Sequence, residues 1–207
     1  MSSALTEYYF SYLDHFPQIP DEVLPTPQQV IDAEYWSNGE KFESMRHPGA
    51  VDHYFRKRVN PELKEWMLAN LKLDSRYAAM FCIFNRLMFP HRDIRDETYN
   101  FILTTGGEVR TEWYNKQVEE TVMGTWDSIR DDTSQDTFVS ADQIVTLESV
   151  LIQPKRWHRL KTDIPHGTSG PHSSPRIILS VITENMVQIP KNHPLLTEAV
   201  ENWFKEW

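Results

Sequence analysis

Eight histidines are spread through the 207 residues, and one of them has a neighbour that gives it a chemical use. In Phe89-Pro90-His91-Arg92-Asp93 an imidazole and a carboxylate lie two positions apart, at the end of an apolar, aromatic run. An extended chain repeats every two residues, so His91 and Asp93 turn to one side and Arg92 to the other. The pair can share a metal ion. A second candidate, His166, stands far downstream in Thr162-Asp163-Ile164-Pro165-His166-Gly167, just ahead of another apolar run. Two neutral imidazoles and one carboxylate leave adjacent coordination positions open, the arrangement mononuclear non-haem iron(II) uses to bind a co-substrate and dioxygen together. Structural zinc would want four protein ligands.

Arg176 opens the run Arg176-Ile177-Ile178-Leu179-Ser180. A guanidinium at the head of a buried strand demands a carboxylate, because its fork of donors cannot be neutralised and is costly to leave unpaired. A dicarboxylic ligand that chelates the metal at one end would meet that demand at the other.

Strands must carry these residues. The runs Tyr77 to Phe89, Asn100 to Thr105, Glu108 to Tyr114, Gln143 to Ile152 and Arg176 to Thr183 are apolar and aromatic enough for strands, and Gly106-Gly107 reads as a hairpin turn between two of them. Residues 123–136, rich in aspartate, read as an exposed connection. The first fifty residues are punctuated by prolines and suit an irregular layer with short helical pieces such as Pro27 to Trp36. Asn60-Pro61-Glu62 starts a helix that ends near Leu71, with Asn60 as its N-cap. From Asn192 a terminal helix presents Leu196, Val200, Trp203 and Trp207 on one face, expected to cover the outside of the sheet. The expected architecture is mainly β within an α+β chain: one domain over 1–207, with an antiparallel double-sheet core over about 77–183, a helical layer over 1–76 and a terminal helix over 192–207.

Composition bounds the partners. Seven Trp, eight Tyr and ten Phe supply a large core, and 30 acidic against 21 basic residues give a net charge of −9, which disfavours duplex nucleic acid. Cys82 is the single cysteine; with no disulfide, no apolar leader and no run long enough to span a bilayer, a cytoplasmic location is expected. Cys82 itself lies in an apolar run and reads as a small buried hydrophobe. The basic stretch Lys155 to Lys161 reads as a solvated strand edge guarded by charge, with His158 turned to solvent. His172 is set aside as a ligand because it lies too close to Arg176. Arg86 and Arg95 stand near the His-x-Asp pair, where a substrate would be oriented. Trp113 and Tyr114 fall on opposite faces of one strand, so at most one faces a pocket.

The ordered set His91-Arg92-Asp93, Tyr99-Asn100-Phe101, Thr111-Glu112-Trp113-Tyr114, Ile164-Pro165-His166 and Arg176 to Ser180 resembles the Fe(II)- and 2-oxoglutarate-dependent oxygenases of the double-stranded β-helix (jelly-roll) superfamily, in particular their aspartyl/asparaginyl β-hydroxylase-like branch. The resemblance spans about residues 77 to 183. It implies His91, Asp93 and His166 as the iron ligands and catalytic centre, Arg176 as the partner of the distal 2-oxoglutarate carboxylate, Ser180 and Asn100 as further co-substrate contacts, and dioxygen as second co-substrate. The implied reaction is hydroxylation of an unactivated C–H bond in an amino-acid side chain, peptide or small metabolite. Two other readings use the same residues: a jelly-roll protein that binds an acidic small molecule or peptide without turnover, and a cupin-like zinc or manganese enzyme.

Overall fold

A strand with no polar face must be covered on both sides, and the segment Arg176–Thr183 meets that condition: all eight residues are buried. Among the described residues it is the last of nine strands. In chain order these are β1 (Phe10–Tyr12), β2 (Tyr54–Lys57), β3 (Tyr77–Phe84), β4 (Glu97–Thr104), β5 (Arg110–Tyr114), β6 (Thr146–Val150), β7 (Trp157–Lys161), β8 (His166–Ser169) and β9 (Arg176–Thr183), with helices α1 (Pro27–Asp32) and α2 (Pro61–Asn70). The computed structural model describes residues 8–34, 54–88, 93, 95–115, 145–187, 201–202, 204–205 and 207. His91, residues 123–136 and the start of the terminal helix, with Leu196, Val200 and Trp203, lie outside the described residues.

The strands form two antiparallel sheets, one ordered β1-β7-β4-β9-β3-β2 and the other β6-β5-β8. The chain alternates between them. From β3 in the large sheet it passes to Met88, whose carbonyl accepts from the Thr168 amide of β8 at 3.0 Å. It then returns to β4, crosses to β5 and β6, and passes through β7, β8 and β9 in large, small and large sheet. This winding is a double-stranded β-helix, a jelly-roll. Among the described residues no helix is long and apolar enough to cross a membrane.

Gly106-Gly107 is therefore a crossover from β4 to β5 between sheets rather than a hairpin turn. Both glycines hold positive φ, +76° and +120°, because the crossover lies against the loop before β9. A Cβ on Gly106 would come within 2.9 Å of the Ser174 carbonyl oxygen, and one on Gly107 within 2.6 Å of that of Pro171. The glycine pair is a close-approach signal, which a sequence does not distinguish from a turn.

Alternation gives each strand of the large sheet two jobs. Ala79, Phe81 and Ile83 of β3 and Ile177, Leu179 and Val181 of β9 turn outward and pack with Val30 of α1 and Leu63 and Met67 of α2. Helix α1 is held by a capping box in which the Thr26 hydroxyl accepts from the Gln29 amide and the Gln29 side chain accepts from the Thr26 amide. Asn60 occupies the N-cap position of α2 without a capping hydrogen bond; its side-chain Nδ2 instead donates to Glu62 Oε2 at 3.1 Å. The even-numbered residues of β3 turn inward, and there Phe204 packs on Ala78, Met80, Cys82 and Ile182. This corrects the expectation of a terminal helix confined to the outer face: Phe204 covers inward-facing side chains, which need a lid of their own. Trp207 lies against Tyr77, with the Lys64 ammonium 5.1 Å from its ring.

Leu179, with no exposed surface, sits where both neighbouring strands and the helical layer meet. Leu179→Ala is expected to cost about 2–5 kcal/mol of unfolding free energy, read by urea denaturation. The same change at Leu68 of α2, half-exposed, stays within about 0.5 kcal/mol.

Candidate functional site

The inward faces of the two sheets enclose a cavity of about 110 Å³, room for several waters or a small acid. Its composition follows from alternation. From β9 come Arg176, Ile178 and Ser180, from β4 Thr98 and Asn100, from β5 Thr111, and from β8 His166; Asp93 and Arg95 close one side. The five expected site residues that are described, Asp93, Asn100, His166, Arg176 and Ser180, thus line one space. The sixth, His91, lies outside the described residues. Among the described residues no three His, Cys, Asp or Glu side chains assemble as a metal cage.

The two described ligand candidates are oriented by their neighbours. His166 is buried, and its Nδ1 lies 2.9 Å from the Ile164 carbonyl oxygen. That carbonyl can only accept, so Nδ1 carries the proton and Nε2 the lone pair, the tautomer a metal ligand needs. Asp93 is anchored at both ends. Its amide donates to the Thr162 carbonyl at 2.9 Å, and its Oδ2 receives Arg95 Nε at 2.9 Å and Nη2 at 2.8 Å. A bidentate guanidinium of this kind fixes a carboxylate's direction without consuming both of its oxygens.

Arg176 is the unusual group. It is 3% exposed. Its Nη2 donates to the Thr111 hydroxyl at 3.2 Å, while Nε and Nη1 are buried with no hydrogen-bond partner. Burial pushes the guanidinium down from its usual value to about 10. A cation in that position favours an incoming carboxylate strongly, because the cost of desolvating it has already been met in folding. Below it, the Thr98 hydroxyl lies 3.0 Å from Ser180 Oγ and 3.4 Å from Asn100 Oδ1, tying the two expected co-substrate contacts into one polar row across β4 and β9. The roles of Thr98 and Thr111 were missed in the sequence. Thr98 could have been found two positions before Asn100, on the same strand face.

Two histidines need correction. His158 does not face solvent: it has no exposed surface, stands opposite Asn100 in the β4–β7 register, and packs with Phe10 at 5.7 Å between ring centroids. Strand β7 is an inner strand between β1 and β4, so the stretch Lys155 to Lys161 is not a guarded edge. Its cations turn outward and are matched within the chain, Lys155 by Asp21, Arg156 by Asp14, Arg159 by Glu97 and Lys161 by Asp163. His172, set aside for its nearness to Arg176, lines the same cavity, and its buried Nε2 has no hydrogen-bond partner. Closeness in sequence does not exclude it, because the loop before β9 doubles back against the Gly106-Gly107 crossover.

Trp113 and Tyr114 both stay out of the cavity. Trp113 is fully buried and donates from Nε1 to the Lys161 carbonyl at 2.8 Å, tying the small sheet to the large one. The Tyr114 hydroxyl donates to Glu112 at 3.1 Å. Cys82 is buried and lines the cavity from β3.

No protein-family model and no curated protein sequence matches the chain. Among solved structures the chain is similar to the Escherichia coli ribosomal oxygenase YcfD, with 9% identity over 74% of this chain and 36% of that one and a TM-score of 0.37. Oxalate decarboxylase of Bacillus subtilis is similar at 11% identity over 93% of this chain and 39% of that one, with a TM-score of 0.35. The chain spans about two-fifths of the length of these proteins.

The buried groups give two expectations. Arg176→Met replaces an uncompensated charge by an apolar side chain of similar length and is expected to raise the stability of the ligand-free protein by about 1–4 kcal/mol in urea; a fall would mean that the charge is compensated. The His158 imidazole is held down to about 3, by burial first and by the Arg176 charge besides. The unfolded chain therefore binds a proton below about pH 6.5 that the folded chain refuses until about pH 3, so stability is lost as pH falls through that window. His158→Phe should remove up to about 1.4 kcal/mol per pH unit of this loss, seen as the difference between the two pH profiles.

Proposed function

We propose that this protein is an Fe(II)- and 2-oxoglutarate-dependent oxygenase that hydroxylates an unactivated C–H bond of a small molecule or peptide. The observation that carries the reading is Arg176: a buried guanidinium with two unpaired nitrogens, in the cavity that also holds a tautomerically fixed imidazole and an anchored carboxylate. Those residues fit both groups. His166 through Nε2 and Asp93 would hold the iron, with His91 as third ligand, and Arg176 would receive the distal carboxylate of 2-oxoglutarate.

Bound there, with dioxygen, iron and 2-oxoglutarate would supply the oxidising power for hydroxylation, giving succinate and carbon dioxide beside the hydroxylated product. The chain's own work is positional. Thr111 holds one Nη of Arg176 and so aims the rest of the fork, while Ser180 and Asn100 offer hydrogen bonds along the same face. The Ile164 carbonyl keeps the proton on Nδ1 of His166, and Arg95 keeps the Asp93 carboxylate from rotating. Ile178, Leu160, Val109 and Phe84 make much of the remaining wall apolar, which limits water and strengthens every charge inside.

Anaerobic loading with Fe(II) and 2-oxoglutarate, followed by oxygen, is expected to release succinate even without substrate. Arg176→Ala should spare metal binding and weaken 2-oxoglutarate by about 10²–10³-fold, the cost of removing one partner of a buried ionic contact. His166→Ala should lose the metal. Equal effects of the two variants on metal and co-substrate would contradict these roles, and turnover with zinc or manganese without oxygen would favour the cupin-like reading.

A further inference from the structure

The charge of the cavity does not follow the charge of the chain. The protein carries a net −9, yet the described lining contains four guanidinium groups, Arg56, Arg86, Arg95 and Arg176, and Asp93 as its one acid. Two of the four already have a use. Arg95 is paired with Asp93 at 2.8 Å, and Arg176 lies deep, where the proposed co-substrate carboxylate would meet it. A divalent metal and a dianionic co-substrate add no net charge between them, so the excess positive charge persists in the loaded site.

Arg86 is a different case. Beyond the end of β3 the alternation that turns Cys82 and Phe84 inward also directs Arg86 to the lining, and there it is solvent-exposed. It forms no ion pair among the described residues. Arg56 stands opposite Cys82 on β2, half-buried, in the same lining. A long cationic side chain left at a cavity mouth is the usual handle for a planar oxyanion, which its fork matches in two parallel hydrogen bonds. Low-dielectric walls focus such a field and raise the local concentration of anions.

We propose that the molecule this cavity transforms carries an oxyanion, a carboxylate or a phosphate, away from its reacting carbon, and that Arg86 at the mouth receives it, with Arg56 adding to the field. This rests on the oxygenase reading for the reaction, but the anion site is a property of the lining and is tested separately.

The Arg176→Ala protein, whose deep site is removed, is titrated calorimetrically with glutarate, inorganic phosphate and neutral pentane-1,5-diol. Binding of one or both anions, no binding of the diol, and a loss of about 10–100-fold on adding Arg86→Ala are expected, with partial recovery for Arg86→Lys. The tighter anion identifies the headgroup. Anion binding that is indifferent to Arg86, equal binding of the diol, or no anion binding at all overturns the inference. Metal-dependent 2-oxoglutarate binding, measured in the wild type and in Arg86→Ala, should be the same in both. If the wild type fails to bind 2-oxoglutarate while glutarate still depends on Arg86, the oxygenase reading falls and the mouth site stands.

Discussion

A guanidinium buried in an apolar fold with two of its nitrogens unpaired is the constraint on which the site depends. Arg176 cannot escape its charge by losing a proton at ordinary pH, since even with burial its value falls only to about 10. The fold therefore carries the cost of a desolvated cation, several kcal/mol by the usual reckoning, and no described side chain offsets it with a carboxylate. A single hydrogen bond from the Thr111 hydroxyl sets its direction. Such an arrangement is unfavourable for the empty protein and favourable for a bound acid, which is how stability is exchanged for affinity at a ligand site.

Everything else about the cavity follows from holding that residue at the head of a central strand. Strand β9 is paired with β3 along its whole length and with β4 from Ile177 to Val181, so its register is fixed and a slip of one residue would send Arg176 into the helical layer. The helices α1 and α2 cover the outward face with Val30, Leu63 and Met67, which leaves the inward face free to be polar where it meets the cavity. Small-sheet strand β8 then presents His166 from the opposite wall, through a backbone ladder with Trp113 of β5.

How much of this was legible in the sequence depended on whether the signal was local. Strand β9 was read with its observed bounds, because a continuous apolar run has one meaning in a mainly β chain. The grouping of Asp93, His166, Arg176, Ser180 and Asn100 was legible from ordered motifs, and alternation along β4 and β9 explains why they share a face. Burial of His158 was not legible: Lys155, Arg156, Arg159 and Lys161 gave the stretch a surface texture, yet each cation finds an acid contributed from elsewhere in the fold or from the next turn. The glycine crossover failed for a similar reason, since positive φ records that backbone approaches backbone and not which sheet the next strand joins.

The distribution of charge connects these observations. A net −9 surface repels small anions at long range, and salt screens that repulsion over roughly 8–10 Å. Inside the mouth the sign reverses, with Arg86 and Arg56 ahead of Arg176, and the walls of Ile178, Leu160 and Val109 keep solvent from screening what lies beyond them. An anion that reaches the mouth would thus meet one cation after another, ending on the buried guanidinium of Arg176, two of whose nitrogens have no hydrogen-bond partner. Arg95 does not add to this gradient, because its charge is spent on Asp93; the same pairing keeps that carboxylate from cancelling Arg176. The separation of one arginine for the protein's own acid from one left for an incoming acid is what would let the carboxylate proposed for a metal and the proposed anion site share so small a space.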